Sequence, residues 1–215
     1  MKFYHEITVI PNHEIGEHFI WSKLFTQIHL ALVSIQDEQK KSPIGISFPE
    51  YFMGEKFGVI GSKLRLFAQS ELELQKLDIQ KWLSRLTDYI HISGLREVPQ
   101  KISGYAIYNR HQPKVNKERL MRRNQKREEE WKSIINNPQS QPEKLAAAQE
   151  KLSKRQQRIN NYDKEKMVKE PFIKLKSLSS NNDFCLWIKK TATNEPNYQK
   201  FSTYGLSGIS SLPEF

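Results

Sequence analysis

Over the first hundred residues the apolar positions switch between the two-residue rhythm of strands and the three-and-four spacing of helices. Phe3 to Ile10 reads as a strand that ends at Pro11. Glu17 to Ile35 reads as a helix, because Trp21, Leu24, Phe25, Ile28 and Leu32 fall on one face. Ile44 to Phe48 is a short strand stopped by Pro49, and Lys63 to Ala68 is another. Ser70-Glu71-Leu72-Glu73 has the form of a capping box that opens a second helix. Its apolar spacing runs on through Leu77, Trp82 and Leu86, with a break near Asp78. Ile90 to Val98 returns to strand character. The order strand, helix, strand, strand, helix, strand predicts an α+β protein whose residues 1–98 form a ferredoxin-like (RRM-like) domain. Fold alone does not give function.

The pattern changes over residues 99–215. Residues 100–116 read as irregular and polar. Asn116 is the expected N-cap of a helix that runs to about Asn136, where Asn137-Pro138 breaks it. A second helix opens near Pro142 and runs to about Asn161, with Leu145, Leu152 and Ile159 at heptad spacing and Ala148 between them. Residues 117–161 therefore predict a helical hairpin. Two strands follow, near Phe172–Lys176 and Phe184–Lys190. The last structured segment lies near Phe201–Tyr204, ahead of a Gly205-Leu206-Ser207-Gly208 stretch that reads as flexible.

Composition narrows the class. Hydrophobic residues make up 37% of the 215, enough for a real core. No apolar run approaches the roughly 20 residues a bilayer span needs, and Met1 to Glu6 does not look like a signal peptide. A cytoplasmic protein with no membrane partner is expected. The single cysteine, Cys185, makes no internal disulfide and reads as a small strand residue.

Charge changes the picture more. The net charge is +10, which suggests a polyanionic partner. Residues 110–169 hold 17 Lys and Arg against 8 Asp and Glu, a balance of +9, so the other 155 residues carry only +1. Within that segment Arg119, Arg122, Arg123, Lys126 and Arg127 sit at i, i+3, i+4, i+7 and i+8, on one helix face spanning about 140°. Arginine offers planar, bidentate donors to phosphates and to guanine edges. The localised charge points to nucleic acid. The competing reading is a solvated face whose ion pairs come from Glu128-Glu129-Glu130.

Candidate chemistry rests on histidine. His5, His13, His18, His29, His91 and His111 form no zinc-ligand spacing, no phosphate-binding glycine loop is present, and no paired carboxylates suggest a two-metal nuclease. No metal and no cofactor are expected. RNA can be cut without metal when a base takes the proton of a 2′-hydroxyl, and histidine is the natural base near neutral pH. His29 sits beside the apolar stripe of the first helix. On spacing alone it reads more readily as a satisfied structural histidine than as a base.

Several segments resemble a known family. Leu24-Phe25, Ile28-His29 and Ala31-Leu32-Val33 are similar to the catalytic-helix motif of the type I-F CRISPR repeat-RNA endoribonucleases, and Ile44-Gly45-Ile46-Ser47-Phe48-Pro49 to the strand after it. Arg110-His111-Gln112, then Asn116, Glu118-Arg119-Leu120 and Arg122-Arg123, resemble the linker and arginine-rich helix. Ser177-Leu178-Ser179-Ser180 with Phe184 resembles the serine loop and stacking aromatic. Phe201 and Tyr204-Gly205-Leu206-Ser207 resemble the C-terminal signature. The matches run in order along the chain. Two departures stand out: Lys126 replaces the family's usual arginine, and the hairpin after Glu128 is longer.

The resemblance implies roles. His29 would be the general base, Tyr204 would orient it, and Ser177 would hold the attacking ribose. Ser179 would help place the phosphate, and Phe184 would stack on the base pair closing the stem. Arg110 and Gln112 would read base edges, while Arg119, Arg122, Arg123, Lys126 and Arg127 would line the RNA groove. The implied function is cleavage of CRISPR precursor RNA at the repeat stem-loop, leaving a 2′,3′-cyclic phosphate and a 5′-hydroxyl. The implied partners are that RNA and the other subunits of a type I-F surveillance complex, with the product guide retained. Two other readings stay open: a non-catalytic RNA-binding subunit, and a duplex-DNA binder. The second is disfavoured because Asn124 and Gln125 lie off the cationic face.

Overall fold

In the computed structural model, the strand and helix rhythms of the N-terminal half become β1 (Phe3–Val9), α1 (Glu17–Ser34), β2 (Lys41–Ser42), β3 (Gly45–Ser47), β4 (Phe52–Met53), β5 (Gly58–Val59), β6 (Lys63–Ala68), α2 (Glu71–Leu77), α3 (Ile79–Trp82), β7 (Ile90–Ile92) and β8 (Arg96–Glu97). After them come β9 (Gly104–His111), α4 (Lys117–Asn136), α5 (Pro142–Glu165), β10 (Phe172–Lys176), β11 (Asp183–Thr193), β12 (Phe201–Ser202) and β13 (Leu212–Glu214). The structure describes residues 1–112, 117–165, 168–177 and 180–215, without the side chains of 117–124, 126 and 158–165. The expected N-cap Asn116 and the expected contact residue Ser179 lie outside the described residues, as do the side chains of Arg119, Arg122, Arg123 and Lys126.

The first sheet has the order β3-β6-β1-β7, with β8 also on β1, and every pairing is antiparallel. Alternation along β1 turns Ile7 and Val9 to one face of the sheet, while Tyr4 is buried on the other, against Phe67 and Phe215. Helix α1 buries Trp21, Leu24, Phe25, Ile28 and Leu32, the stripe its spacing predicts, together with Ile20 and Ala31. The expected break near Asp78 is a left-handed residue at φ 45° between α2 and α3. At the start of α2, Glu73 accepts hydrogen bonds from the N–H groups of Ser70 (3.1 Å) and Gln69 (3.0 Å), as the capping sequence predicts. The expected strand Ile90–Val98 is instead two short strands, and between them the Ser93 hydroxyl stands in for a backbone acceptor: it accepts the Glu6 N–H at 2.8 Å, while the Ser93 N–H donates to the Glu6 carbonyl at 2.8 Å.

The second sheet has the order β10-β11-β9-β13, also antiparallel. Here the sequence reading of 100–116 as irregular is corrected. Residues 104–111 are a strand that pairs with β11 from Tyr105 through His111 and with β13 on its other edge. Inside it Tyr108 is buried, its hydroxyl 3.1 Å from the Phe48 carbonyl and 2.8 Å from Glu214 Oε1. Burial and the Glu214 carboxylate keep that phenol far above the usual tyrosine range.

One hydrophobic core joins both sheets, with Ile7, Leu24, Phe48 and Leu66 packed together with Tyr108, Ile173 and Leu186. Residues 1–111 and 169–215 form one compact unit, and residues 112–168 form another. The expected boundary at 98/99 separates the two sheets, not these units, because the shared core binds the sheets together. In the second unit α4 and α5 pack against each other, Ala148 is buried, and Arg155 meets Glu128 at 3.0 Å.

The glycine-containing segment after Tyr204 is ordered, not flexible. Ser202 N–H donates to Leu206 O (2.9 Å), Gly205 N–H to Ser202 O (2.8 Å), and Ile46 N–H to Gly205 O (2.8 Å). Gly205 has φ +67°, and a Cβ there would stand 2.3 Å from Ile46 Cγ1. The glycine serves close approach to β3.

Candidate active site

His29 follows the buried Ile28 in α1, so its ring leaves the core at the edge of the apolar stripe and is half-buried. Its Nδ1 lies 2.8 Å from the carbonyl oxygen of Thr203. A carbonyl only accepts, so Nδ1 carries the proton in this contact. In the neutral ring Nε2 is then the atom with the free lone pair. Tyr204 stacks on the imidazole, with centroids 4.2 Å apart and planes 4° from parallel. The tight turn at Ser202–Leu206 presents both the Thr203 carbonyl and the Tyr204 ring to the helix.

Arg110, exposed near the end of β9, continues the cluster. Its guanidinium carbon is 5.7 Å from the Tyr204 ring centre and 5.6 Å from that of Phe184 on β11. Four expected site residues, His29, Tyr204, Arg110 and Phe184, are thus linked by direct ring contacts. Beside Arg110 and Tyr204 a cleft of about 790 Å³ opens.

Ser177 stands at the tip of the β10–β11 hairpin. Its N–H donates to Asn182 O and its carbonyl accepts from Asn181 N–H, each at 2.9 Å. Its Oγ accepts the Ser180 N–H at 3.3 Å. Gln112 is exposed directly after β9, and Arg127 is exposed on α4. Glu128, a candidate partner for the cationic face, is engaged with Lys132 at 3.1 Å and Arg155 at 3.0 Å.

The family model described as CRISPR-associated protein (Cas_Csy4) matches residues 4–215. The chain belongs to this Csy4 family. A Csy4 relative from Escherichia coli (strain UTI89 / UPEC), "CRISPR-associated endonuclease Cas6/Csy4", is 32% identical over 216 residues, covering 100% of both chains. Among solved structures, "An RAMP protein binding different RNA substrates" covers 99% of each chain at 11% identity, with a TM-score of 0.34.

Sequence reasoning passed over two residues beside this cluster in the Csy4-family chain. Thr203 contributes only its backbone carbonyl, which no residue type advertises. Asn109 lines the cleft, and its Oδ1 is buried without a hydrogen-bond partner. It lay in the segment read as irregular, so no alternation drew attention to it.

Proposed function

We propose that the protein is a metal-independent endoribonuclease that cuts CRISPR precursor RNA at the repeat stem-loop. The observation that carries this reading is the His29 imidazole, held through Nδ1 by the Thr203 carbonyl and stacked on Tyr204, with Nε2 left as the basic atom. Membership of the Csy4 family, with a relative named as an endonuclease, supports it.

In this mechanism Nε2 takes the proton of the 2′-hydroxyl beside the scissile phosphate. The 2′-oxygen attacks phosphorus and the bond to the 5′-oxygen breaks. The 5′-oxygen leaves as a hydroxyl after protonation, and the other product ends in a 2′,3′-cyclic phosphate. Tyr204 fixes the plane of the base. Ser177 holds the attacking ribose, Ser179 helps place the phosphate, and Phe184 stacks on the pair that closes the stem. Arg110 and Gln112 read base edges. Arg119, Arg122, Arg123, Lys126 and Arg127 grip the stem from the arginine-rich helical hairpin.

The order and antiparallel pairing of the first sheet support a ferredoxin-like domain over residues 1–98. That domain supplies the base, and residues 99–215 grip the RNA. The enzyme works in the cytoplasm, where its RNA substrate is made. No helix among the described residues is long and apolar enough to cross a membrane. We further propose that the product guide is retained and that the other subunits of a type I-F surveillance complex assemble on it. The direct test offers the protein a labelled repeat hairpin, its all-DNA version and an unrelated hairpin, all in EDTA. Cleavage of the repeat RNA alone is expected. Binding without cleavage would leave a non-catalytic RNA-binding subunit.

A further inference from the structure

The cleft beside Tyr204 is larger than the ring contacts require and has a chemistry of its own. Lys41, Lys200, Asn109, Gln39 and Gln199 line it, with Arg110 and Tyr204 at its edge. None of its described lining residues is a carboxylate. Asp37, on the same loop as Gln39, bonds Lys200 Nζ at 2.6 Å and so holds that lysine in place. Its volume of about 790 Å³ falls in the range of ligand sites, roughly 300–1,000 Å³. Lysines beside neutral amides suit a chain of phosphodiesters and bases.

Asn109 supplies a second, independent observation. Its buried Oδ1 has no partner, an arrangement that costs free energy until a donor arrives. Asn109 itself lines the cleft, and the terminal torsion of asparagine is soft, so its amide can turn to meet a donor that enters there. The exocyclic amine of a base is such a donor.

Position gives the direction of the strand. Phe184, Arg110, Tyr204 and His29 follow one another by ring contacts, and the cleft opens at Arg110 and Tyr204 without touching Phe184. The cleft is lined by Thr203 and Tyr204, the two residues that hold His29, and by neither Phe184 nor His29 itself. With the stem end on Phe184 and the scissile phosphate at His29, it stands beside the cut and can take the strand that continues from it. We infer that it is a binding groove for the single-stranded RNA segment 3′ of the scissile phosphate. This rests on the nuclease reading above. Lys41 and Lys200 meet phosphates, and Asn109 accepts a hydrogen bond from a base amine.

The test uses the full protein and repeat hairpins whose 2′-hydroxyl at the cut is replaced by hydrogen. One set carries a single 3′ nucleotide, a second carries several, and a third carries the extension on the 5′ side. The longer 3′ flank is expected to tighten binding and to steepen the log–log salt dependence by roughly 0.7 per phosphate engaged, about 1.4 for two lysines. The 5′ extension is expected to add nothing. Lys41→Ala with Lys200→Ala, and Asn109→Ala separately, are expected to reduce the gain from the 3′ flank while the short hairpin binds as before. Lys41→Ala alone, which leaves the Lys200–Asp37 pair intact, guards against a folding effect. Equal binding of short and long 3′ flanks, with the short-flank all-RNA hairpin still cut normally, would overturn the groove and leave the nuclease standing. Failure to bind or cut any hairpin would remove both.

Discussion

At His29 two ring nitrogens meet different surroundings, and that difference is the chemical content of the site. One is tied to a backbone carbonyl at 2.8 Å; the ring that carries both is stacked against a tyrosine at 4.2 Å. His29→Ala is expected to lower single-turnover cleavage by at least about 10²–10⁴-fold, the usual worth of a general base, while hairpin affinity stays near wild type. The contact made by Tyr204 is between ring faces. Tyr204→Phe should therefore keep most of the rate, and Tyr204→Ala should lose a large part of it. Equal damage from both would mean that the hydroxyl, and not the stack, does the work. The candidate base was legible because His29 sits within a recognisable helix motif. The Thr203 carbonyl was not, since a backbone acceptor leaves no trace in residue identity. Asn109 was hidden for a different reason: it gains meaning only once its strand and the cleft exist.

At the scale of elements, legibility followed the range of the interactions that make each one. Helix α1 was readable from five apolar residues at helical spacing, all of them buried, and the start of α2 from a local cap. Strand β9 was not. Its sequence mixes Gly104, Asn109, Arg110 and His111 among aromatics, and it is a strand because β11 and β13 pair with it on both sides. The ordered turn at Gly205 was misread as flexible because the contact that demands glycine, the approach of Ile46, comes from a distant strand. For α4 the sequence says which cations share a face. Changing Arg119, Arg122, Arg123, Lys126 and Arg127 together to Gln should weaken hairpin binding severely and reduce the salt slope by roughly 0.7–0.9 for each phosphate no longer neutralised. A titration over several salt concentrations measures this. Unchanged affinity and slope would make the face an ordinary solvated surface. Lys126→Ala alone should weaken cognate and unrelated stems alike, as removing a phosphate-binding cation does.

At the scale of the whole molecule, the site joins residues 174 positions apart, a helix near one end of the chain and a turn near the other. The shared core makes that meeting possible. Phe201 shows how: it is 1% exposed, pairs with Ser42 through β12 and β2, and fills the space above Gly45, where a Cβ would stand 2.5 Å from its ring. Phe201→Ala should cost about 3–5 kcal/mol of stability and loosen the turn that carries Thr203 and Tyr204. Thermal or urea unfolding measures the first effect, and the cleavage rate of the still-folded fraction measures the second. The central claim, that an unaided imidazole drives attack by the neighbouring 2′-hydroxyl, meets its most direct test in the ends of the product. With excess chelator present, the repeat hairpin should be cut to a 2′,3′-cyclic phosphate and a 5′-hydroxyl, and replacing the single 2′-hydroxyl at the cut by hydrogen should stop the reaction. Cleavage of that deoxy substrate, or a reaction that stops in EDTA and returns with magnesium, would contradict the account.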